Sequence, residues 1–220
     1  MKINKNELIS IIHNTEAFIK PKIELEQYCI DAASAVEILF FAGFEYNDIT
    51  NRFIVDLGSG TGRLSIASAY LNANAVLSVD IDYSALNSLK RNIKSLGLEN
   101  IIFPLCSDVK HLELTKELFL NDMRVTTIMN PPFGVKKRNA DRIFLEKAFT
   151  FSDVIYSIHL AGEKVLKFIS KFCEKFNWRI DNYFPYNMIL ERSFDFHTKK
   201  TKQIDVNVFR FVKKKIKKKN

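Results

Sequence analysis

Cysteine is scarce in this chain, and the few present are badly placed for cross-linking. Cys29, Cys106 and Cys173 are odd in number and far apart, which excludes a disulfide framework and the paired spacing of a zinc site. A reducing, cytoplasmic setting is expected. The four histidines are scattered, so no metal site is predicted. Long apolar runs are missing as well. The greasiest stretch, Ala35 to Phe44, is interrupted by Glu37 and is too short to span a bilayer. The segment Met1-Lys2-Ile3-Asn4-Lys5-Asn6-Glu7 lacks the apolar centre of a signal peptide. No Gly/Ser/Pro-rich linker divides the chain, and no internal repeat recurs. At 47% hydrophobic, 220 residues can bury one large core, and one domain over 1–220 is expected. Acidic residues are in deficit, 25 against 33 lysines and arginines, giving a net charge of +8. With a pI near 9.3, that balance favours an anionic partner, nucleic acid above all.

Proline is also rare, yet two of the five stand together in Asn130-Pro131-Pro132-Phe133. They follow the apolar run Val125-Thr126-Thr127-Ile128-Met129, which reads as a buried strand opening into a rigid loop. The Asn130 side-chain carbonyl and the Pro131 carbonyl can each accept one hydrogen of an exocyclic amine, and Phe133 can stack on the ring that bears it. This is the motif of amino-group methyltransferases, which act on adenine N6, cytosine N4 or a glutamine amide. A Pro-Pro turn with a structural aromatic would look the same over four residues.

Three of the seven glycines fall in one turn, Gly58-Ser59-Gly60-Thr61-Gly62, after the short strand Phe53 to Leu57. The dinucleotide fingerprint has two residues between its second and third glycines; here there is one, which disfavours a pyrophosphate turn. Asp56-x-Gly-x-Gly-x-Gly resembles motif I of S-adenosylmethionine-dependent methyltransferases. The next strand, Ala75 to Val79, ends in Asp80-Ile81-Asp82. Asp80 is placed to accept from both ribose hydroxyls of a cofactor, and Asp82 is placed instead to cap the following helix. After strand Ile101 to Leu105, Asp108 is placed for the cofactor's adenine amine and the Val109 N–H for its ring, although an acid there is also a common N-cap.

Strands at 53–57, 75–80, 100–105, 124–129 and 153–158 alternate with helices at 62–71, 83–96, 115–120, 140–150 and 161–176. Helices near 5–18 and 31–41 precede them, and strands near 178–190 and 203–212 follow. The expected fold class is α/β, a Rossmann-like class I methyltransferase with a mostly parallel seven-stranded sheet. Ligands of such sheets bind beyond the carboxyl ends of the strands, where Gly58, Asp80, Asp108 and Asn130 all fall.

With these residues in view, the chain resembles the small-subunit ribosomal RNA adenine-N6 methyltransferases called methyltransferase-like protein five, and their archaeal relatives. The resemblance runs through Lys20-Pro21-Lys22, Leu25-Glu26-Gln27-Tyr28, the Asp56–Gly62 turn, Asp80-Ile81-Asp82, Asp108-Val109, Asn130 to Gly134, Val154-Ile155-Tyr156-Ser157-Ile158-His159, and Phe196-His197-Thr198-Lys199-Lys200. It implies S-adenosyl-L-methionine as cofactor, held by Gln27, Tyr28, Ile30, Asp56, Gly58, Gly60, Thr61, Gly62, Arg63, Asp80, Ile81, Asp108, Val109 and Asn130. The helices of 1–45 would cover that site. Cys29-Ile30 stand where the family often has Pro-Thr, so this chain lacks a hydroxyl there, and Arg63 replaces a small apolar residue. In eukaryotes the family binds a small zinc-binding activator protein.

Three basic clusters are candidates for gripping RNA: Lys136-Lys137-Arg138, then His197 with Lys199, Lys200 and Lys202, and the tail at 213–220. The tail also reads as a flexible, solubilising end. Two other readings stand beside RNA methylation. A protein glutamine methyltransferase usually carries Tyr where this chain has Phe133, and a separate amino-terminal domain for which there is little room. A catalytically idle RNA-binding scaffold sits poorly with an intact Asn130 and Asp80.

Overall fold

A computed structural model describes residues 3–119, 122–134, 140–191 and 201–214. Seven strands, β1 Phe53–Leu57, β2 Ala75–Asp80, β3 Ile102–Cys106, β4 Val125–Met129, β5 Val154–Leu160, β6 Trp178–Glu191 and β7 Thr201–Lys213, form one sheet in the order β3-β2-β1-β4-β5-β7-β6. The first five run parallel, and β7 is antiparallel to both β5 and β6. Chain order runs outward from β1 to β3 on one side and from β4 to β5 on the other. The crevice that takes ligands in such sheets therefore lies above β1 and β4. Leu57 pairs with Met129, so Gly58 and Asn130 leave the sheet as neighbours.

The strands alternate in the face they serve. Ile54 and Ile128 join a core with α1 (Lys5–His13), α2 (Ala32–Phe40), α3 (Arg63–Tyr70) and α4 (Tyr83–Leu96). Val55 and Met129 join a second core with α5 (Ala140–Phe151) and α6 (Glu163–Glu174). Both cores are rich in branched aliphatic residues at strand positions, as expected for a sheet covered on both faces.

The first helix ends earlier than its apolar spacing predicts. Asn14 closes α1: its side-chain amide donates to the Ser10 carbonyl at 2.9 Å, and the Thr15 hydroxyl donates to the Ile12 carbonyl at 2.6 Å. Asn92 of α4 then captures the released chain. Its Oδ1 accepts from the Glu16 N–H at 2.7 Å, and its Nδ2 donates to the Glu16 and Thr61 carbonyls, each at 3.1 Å. The predicted extension to Phe18 is thus an ordered crossing that lays Phe18 over the glycine turn. After α2, a wider π turn over Phe41–Glu45 replaces the expected helix end.

The long hairpin of β6 and β7 rises past the sheet. β5 ends its pairing at Leu160–Val206, while β7 continues back to Thr201 against β6. This overhang stands on the carboxyl-end side of β5. It is fastened to α2, because the Ile189 N–H donates at 3.1 Å to Asp31, which also caps that helix.

Candidate active site

One cleft sits over the carboxyl ends of β1, β2 and β4. The turn after β1 forms its floor. Gly58, Gly60 and Gly62 all have positive φ, but they serve different neighbours. A Cβ on Gly58 would meet Phe144 at 3.0 Å and one on Gly60 would meet Phe18 at 2.8 Å, both rings that line the cleft. A Cβ on Gly62 would run into Leu89 of α4 at 2.1 Å. Gly62, expected at the cofactor, instead permits the close approach of two helices and lies off the lining.

The acids at the strand ends divide in the same way. Asp80 lines the cleft, with one oxygen accepting from the Gly60 N–H at 2.7 Å and the other from the Asp82 N–H at 2.8 Å. Burial pushes its pKa up, against the downward pull of those N–H groups. Each oxygen keeps a lone pair for a further donor. Asp82 turns away from the cleft. Its carboxylate accepts from the Ser84 N–H at 3.1 Å, capping α4, from Lys22 Nζ at 2.7 Å and from Gln27 Nε2 at 2.8 Å.

Asp56 corrects a second expectation. It is buried in β1 with its carboxyl against the Ser65 hydroxyl at 2.5 Å, and it does not reach the cleft. The Ser65 hydroxyl also meets that of Ser78 at 2.7 Å. Side chains alternate along β1, so this position faces α3 while the turn that follows reaches the ligand side. Burial raises the Asp56 pKa to about 7, the Ser65 hydrogen bond opposing it and the charge of Asp80 adding to it.

Gln27, Tyr28, Ile30, Thr61, Arg63, Ile81, Asp108 and Val109 all line the cleft. The Gln27 amide is engaged twice, since its Oε1 also accepts from the Lys22 N–H at 2.7 Å. Arg63, whose place departs from the family pattern, donates to the Ile30 carbonyl at 2.7 Å and so fixes the covering segment to the first turn of α3. Asp108 caps the short turn that follows it, accepting from the Lys110 N–H at 2.9 Å, and is exposed at the cleft edge. Sequence reasoning missed Phe18, Ile143 and Phe144 in the wall, because their approach depends on Asn92 and on the packing of α5.

The Asn-Pro-Pro-Phe segment leaves β4 at the cleft's other side. Asn130 and Pro132 line the cleft, whereas Pro131 is buried and Phe133 lies off the lining. Phe133 stacks on Tyr28, ring centroids 5.3 Å apart and planes 26° from parallel. Asn130 Oδ1 and the Tyr28 hydroxyl are buried, and neither makes a hydrogen bond. The Asn130 amide nevertheless lies beside the Tyr28 hydroxyl and lowers its pKa, against the larger upward push of burial.

Lys136, Lys137, Arg138, His197, Lys199 and Lys200 lie outside the described residues; Lys202 is placed by the pairing of its backbone with Leu190 in the overhanging hairpin. Among the described residues no group of His, Cys, Asp and Glu could hold a metal ion, and no helix is long and apolar enough to cross a membrane.

This arrangement has known counterparts. A family model described as ribosomal protein L11 methyltransferase matches residues 29–129. That match stops one residue short of Asn130 and so concerns the half of the chain that carries the glycine turn and Asp80. An uncharacterised protein of Methanocaldococcus jannaschii is 36% identical over 218 residues, 96% of this chain and 95% of its own length. The rRNA N(6)-adenosine-methyltransferase METTL5 of Danio rerio is 32% identical over 207 residues, 93% of this chain and 97% of its own. The chain belongs to the METTL5 family. A crystal structure described as an RNA methyltransferase candidate from Pyrococcus horikoshii superimposes with a TM-score of 0.85 at 34% identity, covering 97% of this chain and 100% of that one. As a METTL5-family member the chain is an S-adenosylmethionine-dependent methyltransferase of α/β fold.

Proposed function

We propose that this enzyme methylates N6 of an adenosine in RNA, with small-subunit ribosomal RNA as the substrate class. The observation that carries the reading is the buried, unengaged Oδ1 of Asn130 at the tip of β4, beside a cleft that Gly58, Gly60 and Asp80 also line. The cleft fits S-adenosylmethionine: glycines admit close approach of a ligand, Asp80 offers acceptors for ribose hydroxyls, and we assign the adenine to Asp108 and Val109, which also line it. When bound, the cofactor supplies an electrophilic methyl group.

The protein's own contribution is positioning. The amine of adenine is a weak nucleophile because its lone pair is delocalised into the ring. Accepting its hydrogens at Asn130 Oδ1 and the Pro131 carbonyl favours a more tetrahedral nitrogen and aims the lone pair. Holding that nitrogen in line is the proximity contribution to rate. Proton loss from the methylated nitrogen then follows to water. The base reaches this pocket only from a single strand or after flipping out. We assign phosphate contacts to Lys136, Lys137 and Arg138, which follow the Asn-Pro-Pro-Phe segment in sequence, and to His197, Lys199, Lys200 and Lys202, which stand at or just before the start of β7 in sequence. The small zinc-binding activator implied by the resemblance would find an open sheet edge at β3, where Phe103 and Leu105 are exposed.

The test is incubation with labelled S-adenosylmethionine and total ribosomal RNA, DNA or protein, followed by mass spectrometry of the digested products. N6-methyladenosine from small-subunit RNA is expected. Label found instead on protein glutamine would replace this reading with the glutamine one.

A further inference from the structure

Tyr28 has three features that a cofactor contact does not explain. Its ring is stacked on Phe133. Its hydroxyl is buried beside the Asn130 amide. Neither that hydroxyl nor Asn130 Oδ1 makes a hydrogen bond. A flat ring against Phe133 with a polar atom at Asn130 is also what an aminated base presents to the same two residues. We propose that Tyr28 is a placeholder for the acceptor base: its phenol ring occupies the stacking face of Phe133 and its hydroxyl the amide of Asn130, and the base enters by displacing it. The inference rests on the acceptor reading above.

Space argues for displacement over a three-ring sandwich. Centroids 5.3 Å apart leave no gap for another ring, because each stacked contact needs roughly 3.5 Å between carbon atoms. The base and Tyr28 therefore compete for one face. The backbone around Tyr28 is held on both sides. Gln27 is bound to Asp82 and Lys22, and the Ile30 carbonyl is bound to Arg63. The exchange is thus a rotation of one side chain in a fixed frame. While in place, the ring keeps water from Asn130.

A placeholder lowers apparent acceptor affinity by the fraction of molecules in which the seat is open, so removing it tightens binding. In Tyr28→Ala, the KM for small-subunit RNA is expected to fall at least threefold. Adenosine 5′-monophosphate, titrated by NMR into protein saturated with S-adenosylhomocysteine, should bind at least threefold more tightly than to the wild type. The affinity for S-adenosylhomocysteine is measured beside it by calorimetry, because Tyr28 also lines the cofactor cleft. Tyr28→Leu is the second variant if thermal unfolding shows that Tyr28→Ala does not fold. Weaker nucleotide binding in the folded variant would make Tyr28 a fixed wall of the seat and overturn the proposal. So would unchanged nucleotide binding with a loss of S-adenosylhomocysteine affinity, which would make it a cofactor contact. Absence of N6-methyladenosine with the wild type would instead count against the acceptor reading, and the nucleotide titration would still decide the role of Tyr28.

Discussion

Asn130 and Asp56 are both polar groups at the end of buried strands, yet one faces the cleft and the other faces a helix. For Asn130, removal of the amide takes away a hydrogen-bond acceptor that acts on the amine while leaving the glycine turn and Asp80 untouched. Asn130→Ala should lose on the order of 100-fold or more in kcat and keep its affinity for S-adenosylhomocysteine within twofold; single-turnover kinetics beside calorimetry separates the two. Near-normal turnover would remove Asn130 from the chemistry. For Asp56 the consequence is in stability. Its carboxyl stays protonated in the folded protein up to about pH 7, whereas in the unfolded chain it ionises near 3.8. Between those values the native state binds more protons, so its contribution is complete below pH 4 and is lost as pH rises towards 7. The slope for this one group approaches about 1.4 kcal/mol per pH unit. Asp56→Asn is neutral throughout and should flatten the fall by that amount in denaturant titrations between pH 4.5 and 7. An unaltered slope would mean that Asp56 is already ionised in the fold.

At the scale of elements, the segment between α1 and α2 is held over the cleft by a small set of bonds, and Asp82 is central to them. Burial pushes its pKa up, but the bonds from Lys22, Gln27 and Ser84 outweigh this and hold it below the usual carboxylate value. A carboxylate with a lowered pKa stabilises the fold above about pH 4 and loses that contribution as pH falls through the folded value. Asp82→Ala removes the cap of α4, which alone costs about 1 kcal/mol, and releases Lys22 and Gln27. Faster proteolytic cleavage within residues 14–28 and weaker S-adenosylhomocysteine binding are expected, and resistance equal to the wild type would show that the segment is held elsewhere. This clamp also marks the limit of what the sequence disclosed. The glycine turn, the acid at the end of β2 and the Asn-Pro-Pro-Phe stop are local signals, and each stood within a few residues of its strand. Asp82 read as a cap because capping is local too. Its partners Lys22 and Gln27, the capture of Glu16 by Asn92, and the contact of Gly62 with Leu89 join parts of the chain far apart in sequence. No periodicity encodes them. Asp56 misled because a motif shared by position says nothing of which side of the strand a carboxyl faces.

At the scale of the whole molecule, the net charge of +8 includes basic clusters at 136–138, 199–202 and 213–219 of the sequence. The pairing of β6 with β7 continues past the end of β5 on the same side as the carboxyl ends of the parallel strands. Asp31 bolts the hairpin to the start of α2, behind the segment that covers the cleft. Lys136, Lys137 and Arg138 follow Phe133 closely in sequence, and Lys199, Lys200 and Lys202 stand at or just before the start of β7, so both basic clusters are adjacent in sequence to parts of the chain on this side of the sheet. If both clusters grip phosphates, neutralising either should weaken RNA binding without changing cofactor affinity. The log–log dependence of binding on salt should flatten by up to about one unit for each phosphate no longer gripped. The lysine-rich end should matter less, because a flexible tail must be ordered before it contributes specifically. Three variants decide the matter by salt-dependent RNA binding and methyl transfer: one neutralised at 136–138, one at 199–202, and one truncated after Val212. Impairment confined to the truncated protein would mean that the tail captures the RNA and that neither cluster borders the acceptor pocket.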